Sequence, residues 1–328
     1  MPCENNSFKI LSLDGGGIRG IIPALVLHEI EKRCDAPISD LFDLIAGTST
    51  GGILALGLTV PDSGGAPRYS ASDLVAFYED EGDDIFQRSG WGMFEPARSL
   101  FDEKYDAEPI ETALRDRFGG AMLAEVLTPV LVPAYEIEQR KPYFFKSERA
   151  QHERERNVRV WKAARATSAA PTYFSPYKIE VDGPIEYIAL VDGGVYANNP
   201  AACALVEGVA DFNADPSTVF MVSIGTGVHT KPIEYGKATG WGLLDWARPV
   251  LDVTFDGVND TVDFQMDKLL NVEGQAPQYH RLQPRLDDAT DTMDNASRKN
   301  LRQLKIIAEN HIDQKDSEIN AICEWLQC

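Results

Sequence analysis

The first sixty residues run twice through the same order: a strand-like apolar run, a cluster of small residues, then a stretch with helical spacing. Residues 8–13 (FKILSL) lead through 14-DGGGIRG-20 into 18-IRGIIPALVLHEIEKR-33, and residues 41–47 (LFDLIAG) lead through Thr48, Ser49 and Thr50 into 51-GGILALGLTV-60. Apolar strands that alternate with helices belong in a mainly parallel sheet covered on both faces, so the predicted class is α/β with three layers. Further strands are expected at 129–137, 142–147, 186–191 and 218–225, and further helices at 71–82, 107–117, 157–168 and 200–212. No repeat and no compositional break divides the chain. It is read as one domain over 1–328, with residues 240–328 a mostly helical C-terminal elaboration.

The 328 residues carry 44% hydrophobic side chains and a net charge of −20, which excludes a disordered or collagen-like chain. That charge also argues against a nucleic-acid polymer as partner and against membrane binding by charge alone. Apolar runs such as 21-IIPALVL-27 fall far short of the ~20 residues a spanning helix needs, and the N-terminus lacks a signal-peptide pattern. A cytoplasmic, unanchored chain is expected. The odd set of five cysteines has no metal-type spacing and reads as plain thiols, and neither metal nor cofactor is expected.

Gly47-Thr48-Ser49-Thr50-Gly51 is a G-x-S-x-G between strand and helix, the context of a nucleophile elbow. Small residues two before and two after the serine let strand and helix approach, and the N–H of Thr50 at the helix start would face a developing oxyanion. The alternative is a plain turn into a helix. The loop after the first strand, 14-DGGGIRG-20, also meets a dinucleotide spacing at Gly15, Gly17 and Gly20, but the second strand ends in Gly47-Thr48-Ser49 instead of a ribose-binding acid. As an oxyanion loop it would offer the N–H groups of Gly15, Gly16 and Gly17, with Arg19 adding positive charge. In 192-DGGVYANNP-200, Asp192 stands at the end of a strand before Gly193 and Gly194. Asp14, Ser49 and Asp192 thus all fall at carboxyl ends of strands, where ligands of such sheets bind. Of the five histidines only His229 and His280 could approach a strand end, so a Ser49 and Asp192 dyad is the simpler assignment.

DGGGIRG, GTSTG and DGG in this order resemble the patatin-like phospholipase family, and the resemblance continues through 163-AARATSAAPTYFSPY-177, 220-FMVSIGTG-227, 278-QYHRLQP-284 and 293-MDNASRKNLRQL-304. It implies a patatin fold and hydrolysis of phospholipid acyl esters at the inner face of the membrane. Carried over by position, Ser49 is the nucleophile, Asp192 the base, and 15-GGGIRG-20 with Thr50 the oxyanion hole. Asp14, Gly20, Gly47, Gly51, Gly193 and Gly194 support the motifs. One branch of the family consists of antiphage effectors switched on by cyclic oligonucleotides, and such an activator, like an oligomeric state, is compatible with this chain. Two rivals stay open: a phosphate- or nucleotide-binding module with an inert Ser49, and an acyltransferase using the same acyl-enzyme.

Three other segments stand out. The stretch 86-FQRSGWGMFEPARSLF-101 reads as a lid, a membrane-contacting loop or core. Trp241, Leu243, Leu244 and Trp246 form a second apolar cluster with the same ambiguity. Residues 146–165 carry seven Lys and Arg against three Glu, fit either for phosphates or for a solvated, ion-paired face.

Overall fold

The structure is a computed structural model that describes residues 7–85, 105–181, 186–228, 232–246, 249–286, 289 and 292–328. Eight strands form one sheet: β1 (Lys9–Leu13), β2 (Leu44–Gly47), β3 (Val130–Glu136), β4 (Lys141–Lys146), β5 (Tyr177–Glu180), β6 (Tyr187–Asp192), β7 (Phe220–Ile224) and β8 (Tyr279–Leu282). The order is β5-β6-β3-β2-β1-β7-β8, with β4 also on β3. β3, β2, β1, β7 and β8 run parallel, whereas β4, β5 and β6 bring in the antiparallel pairs.

Alternation along the strands feeds two cores. Leu11, Leu13, Ile45, Phe220, Val222 and Ile224 point to one face, under the helices Ile21–Cys34, Thr50–Thr59, Ala71–Ile85 and Arg298–Gln314. Ile10, Leu44, Ala46 and Met221 point to the other, under Ala201–Asp211 and Pro249–Leu270. Both faces being covered is why β1, β2 and β7 read as nearly unbroken apolar runs. The structure is the expected α/β, three-layer arrangement.

β3 creates the geometry on which the site rests. It pairs with β4 over Leu131–Glu136, which occupies one edge, so the other edge serves two partners. β2 pairs there in parallel at Val130 and Leu131, and β6 pairs antiparallel from Glu136 down to Ala134. β2 and β6 therefore advance toward each other along one edge and end nose to nose, Gly47 facing Asp192 across the gap at residues 132–133.

The segment after 240 is mostly helical, yet it also supplies β8, a parallel edge strand that the four residues YHRL gave no pattern to predict. β8 carries Arg281, whose guanidinium donates to both oxygens of the fully buried Asp14 at 3.0 and 2.5 Å and to the Ser223 hydroxyl at 2.8 Å. This fork ties the ends of β1, β7 and β8 together. Cys34, Cys203 and Cys323 are free as expected, but Cys328 is disulfide-bonded, so the reading of five plain thiols fails there.

Arg281→Met leaves Asp14 buried without its partner and is expected to cost about 3–5 kcal/mol. Urea unfolding should show that loss. The double variant Asp14→Asn/Arg281→Met should recover most of it.

Candidate active site

Ser49 sits between the end of β2 and the helix Thr50–Thr59 with φ 55° and ψ −122°, a left-handed conformation that costs a non-glycine residue about 1–3 kcal/mol. The turn is held open to nothing but glycine on either side. A Cβ at Gly47 would collide with the backbone of Gly51, and one at Gly51 with the carbonyls of Leu13 and Asp14. The Thr48 N–H donates to the Leu13 carbonyl at 3.1 Å and its hydroxyl to the Ala197 carbonyl at 2.6 Å. The Ser49 N–H donates to Thr167 Oγ1 at 2.9 Å, and that hydroxyl donates onward to the Pro133 carbonyl at 2.6 Å, inside the gap between β2 and β6. The strain at Ser49 is thus maintained from three elements.

Asp192, 4% exposed, closes the gap from the other side. Its Oδ1 accepts the Gly194 N–H at 2.7 Å, and the Ser49 side chain acts on the same carboxylate to favour its ionised form. Burial dominates both effects and pushes its pKa up to about 7. Gly193 fits only without a side chain, because a Cβ would strike the Pro133 backbone.

The glycine loop faces the same place, though with fewer donors than expected. Gly15 is corrected: its N–H is spent on the Asn198 carbonyl at 3.0 Å. The N–H groups of Gly16, Gly17 and Thr50 have no partner among the described residues, and all three residues line the groove that holds Ser49 and Asp192. Their direction is set from behind. The Gly15 carbonyl accepts from Thr226 Oγ1 at 2.8 Å and from Asn198 Nδ2 at 3.4 Å, and the Gly16 carbonyl accepts from Arg19 Nε at 3.3 Å. Because C=O and N–H point oppositely in a planar trans peptide, pinning these two carbonyls aims the N–H groups of Gly16 and Gly17 the other way. Arg19 is therefore corrected too: it is 6% exposed, grips the back of the loop and lines a separate polar cavity with Thr226, Asn259 and Gln283. Gly17 has φ +59°, and Gly20 packs against Thr50 Oγ1 and the Tyr78 hydroxyl. Asp14 belongs to the Arg281 fork.

The groove holds about 750 Å³ of open space and is otherwise walled by Ile18, Ile53, Phe77, Ile85, Ile110, Tyr173, Phe174, Phe255 and Met293. Its polar groups gather at Ser49. Sequence reasoning missed Thr167, Thr226 and Asn198, whose signal lay only in their segments' family resemblance; a lone Thr or Asn in a loop has no chemical signature.

His280 lies on β8 against Glu318 at 3.1 Å and Phe220, and His311 is buried in Arg298–Gln314, so both are packing residues. His229 and the 86–101 segment lie outside the described residues. The basic segment 146–165 is largely ion-paired: Lys146 meets Glu207 and Asp211, Arg156 meets Glu153, and the buried Arg165 meets Glu111 at 3.4 Å. Among the described residues there is no cluster fit to hold a metal, and no helix is long and apolar enough to cross a membrane.

The Patatin family model, described as patatin-like phospholipase, matches residues 11–205. Patatin-like protein 4 of Arabidopsis thaliana is 32% identical, covering 97% of this chain and 86% of its own length. Patatin-like protein 2 of Arabidopsis thaliana is 33% identical over 90% and 79%, and Patatin-like protein 2 of Oryza sativa subsp. indica 31% over 97% and 87%. The crystal structure of VipD from Legionella pneumophila aligns over 93% of this chain and 67% of its own at 11% identity and a TM-score of 0.39, too loose to carry an argument. Fold and relatives together define a lipid acyl hydrolase. The chain belongs to the patatin-like phospholipase family.

Burial of Asp192 also has a thermodynamic sign. Below about pH 4 both folded and unfolded chains hold its proton; above that the unfolded chain loses it first, so stability falls as pH rises toward 7 and then levels. Asp192→Asn keeps an acceptor for Gly194 and removes the buried charge. It should stabilise the protein at pH 8 by on the order of 2 kcal/mol and by almost nothing at pH 4, read from denaturant midpoints.

Proposed function

We propose that this chain hydrolyses fatty-acyl esters of membrane phospholipids through a Ser49 and Asp192 dyad. The observation that carries the reading is that Ser49, held in a strained turn, lines the same apolar groove as a buried carboxylate whose pKa is pushed up to about 7. An acyl chain fits the apolar walls, which set its ester carbon beside Ser49.

Ser49 Oγ attacks the ester carbonyl as Asp192 takes its proton, and the oxyanion accepts from the N–H groups of Gly16, Gly17 and Thr50. Collapse expels the lipid alcohol, which takes the proton from Asp192. Water then attacks the acyl-serine, giving its proton to Asp192, and as the fatty acid leaves, Ser49 Oγ takes that proton back, which restores the hydroxyl and the carboxylate. The Arg281 fork between β8 and β1 supports treating 1–328 as one domain.

Fatty-acid release from phosphatidylcholine vesicles tests the reading. Ser49→Ala should lower release by at least ~10³-fold and lose labelling by a fluorophosphonate, while keeping its unfolding midpoint. Release by Ser49→Ala at the native rate sinks the dyad. Absence of both release and labelling in the native chain favours an inert binding module, and transfer to an added alcohol in place of water favours the acyltransferase. Cyclic di- and trinucleotides in the same assay test the activator, and with it the antiphage role, that the family resemblance implies.

A base must be ionised to accept a proton. kcat/KM should therefore rise with pH through about 7 and level above it, in a profile measured from pH 5 to 9 with a soluble short-chain ester. A flat profile across this range would remove Asp192 as the base.

A further inference from the structure

Of the twelve large apolar side chains left exposed among the described residues, eight lie between positions 233 and 272. Their centre is the helix Pro249–Leu270. Positions 250, 253, 257, 261 and 264 recur at three- and four-residue spacing and so share one face, where Val250 is 46%, Val253 48% and Phe264 63% exposed. The turn Leu243–Trp246 packs against this helix, and there Trp241 and the exposed Trp246 meet edge to face at 5.0 Å. Monomeric soluble proteins rarely leave apolar groups gathered in this way.

The opposite face of the same helix belongs to the catalytic groove. Phe255 lines that groove, Asn259 accepts from Asn198 Nδ2 at 3.2 Å, and the helix packs on the turn Gly194–Ala197 that follows Asp192. One helix thus joins the outer apolar face to the place where a lipid must arrive. Along the flank between the two faces run Asp256 and Asp260, which also line the polar cavity of Arg19, Asp263, which accepts from the Tyr279 hydroxyl at 2.8 Å, and Asp267, which pairs with the single Lys268 of the helix at 3.1 Å. An anionic surface is repelled by a chain of net charge −20 whose docking helix carries five acids and one lysine.

We propose that the outer face of Pro249–Leu270, with Trp241 and Trp246, is the surface by which this protein docks on lipid, and that it selects neutral or zwitterionic headgroups over anionic ones. The inference rests on the lipid hydrolase reading only for its choice of occupant. Val253 and Phe264 dip into the headgroup boundary and the indoles lie at the level of the headgroups, with the groove lined by Phe255 directly behind the docked helix.

The test is the double variant Val253→Glu/Phe264→Glu in the full chain, both positions being exposed, with Ser49→Ala as a second protein. Flotation is measured with phosphatidylcholine vesicles and with vesicles containing phosphatidylglycerol, alongside turnover of vesicle lipid and of a soluble short-chain ester. The double variant should lose tenfold or more of phosphatidylcholine binding and vesicle turnover while its soluble-ester turnover stays native. Ser49→Ala should float like the native chain and turn over nothing, which separates docking from chemistry. Native protein should favour phosphatidylcholine at low salt. Native vesicle binding by the double variant, stronger binding to phosphatidylglycerol, or a dimer-to-monomer change without loss of flotation would each overturn the proposal, the last assigning the face to a second copy of the chain.

Discussion

The head-on approach of β2 and β6 along one edge of β3 is the constraint from which the site follows. In a sheet where every strand took a full edge of its neighbour, Ser49 and Asp192 would stand at least one strand spacing apart, about 4.8 Å between backbones, and on separate loops. Here two strands of opposite direction share an edge, so their last residues meet in the plane of the sheet. The gap between them exposes the Pro133 carbonyl, and Thr167 fills it by donating to that carbonyl while accepting from the Ser49 N–H. A backbone vacancy in the sheet is thereby converted into the fixed point of the strained serine.

The same gap explains the state of Asp192. It is buried because it ends a central strand, and burial raises its pKa; the Ser49 hydroxyl and the Gly194 N–H hold it below what burial alone would give. A carboxylate in water near its ordinary value of about 3.9 would be a poor acceptor of a serine proton at neutral pH. Lifted to about 7, Asp192 as the proposed base is a stronger acceptor and is still about half ionised at that pH. The fold accepts a less stable ionised state at this position, which on the proposed mechanism is stability exchanged for a stronger base.

Much of this was legible in the sequence. Both strand–turn–helix units, the two main clusters of strand residues and the G-x-S-x-G turn follow from periodicity and glycine spacing, because each depends on residues adjacent in the chain. The two short edge strands β5 and β8 escaped, since four residues such as YKIE or YHRL carry too little alternation to stand out. The glycine loop was read correctly as a loop but not in its donors. Whether Gly15 offers its N–H depends on Asn198, 183 positions away, while Arg19 turns back onto the Gly16 carbonyl three residues before it, a local contact for which an arginine in a loop gives no pattern.

The carbonyl contacts, two of them long-range, also say how the loop works as a unit. Three glycines leave the peptide planes free to rotate, which would be a liability for a site that must present donors without reorganising. Thr226 from beyond β7 and Asn198 from the loop after β6 together hold the Gly15 carbonyl, and Arg19 from the helix start holds that of Gly16, so two peptide planes lose their rotational freedom from behind. Glycine is needed because a Cβ at position 15, 16 or 17 would strike Asn198, Thr226 or the Met293 carbonyl, the first two being the groups that do the holding. Close approach of the anchors, more than backbone permissiveness, therefore accounts for Gly15 and Gly16, and Gly17 with its φ of +59° answers to both demands.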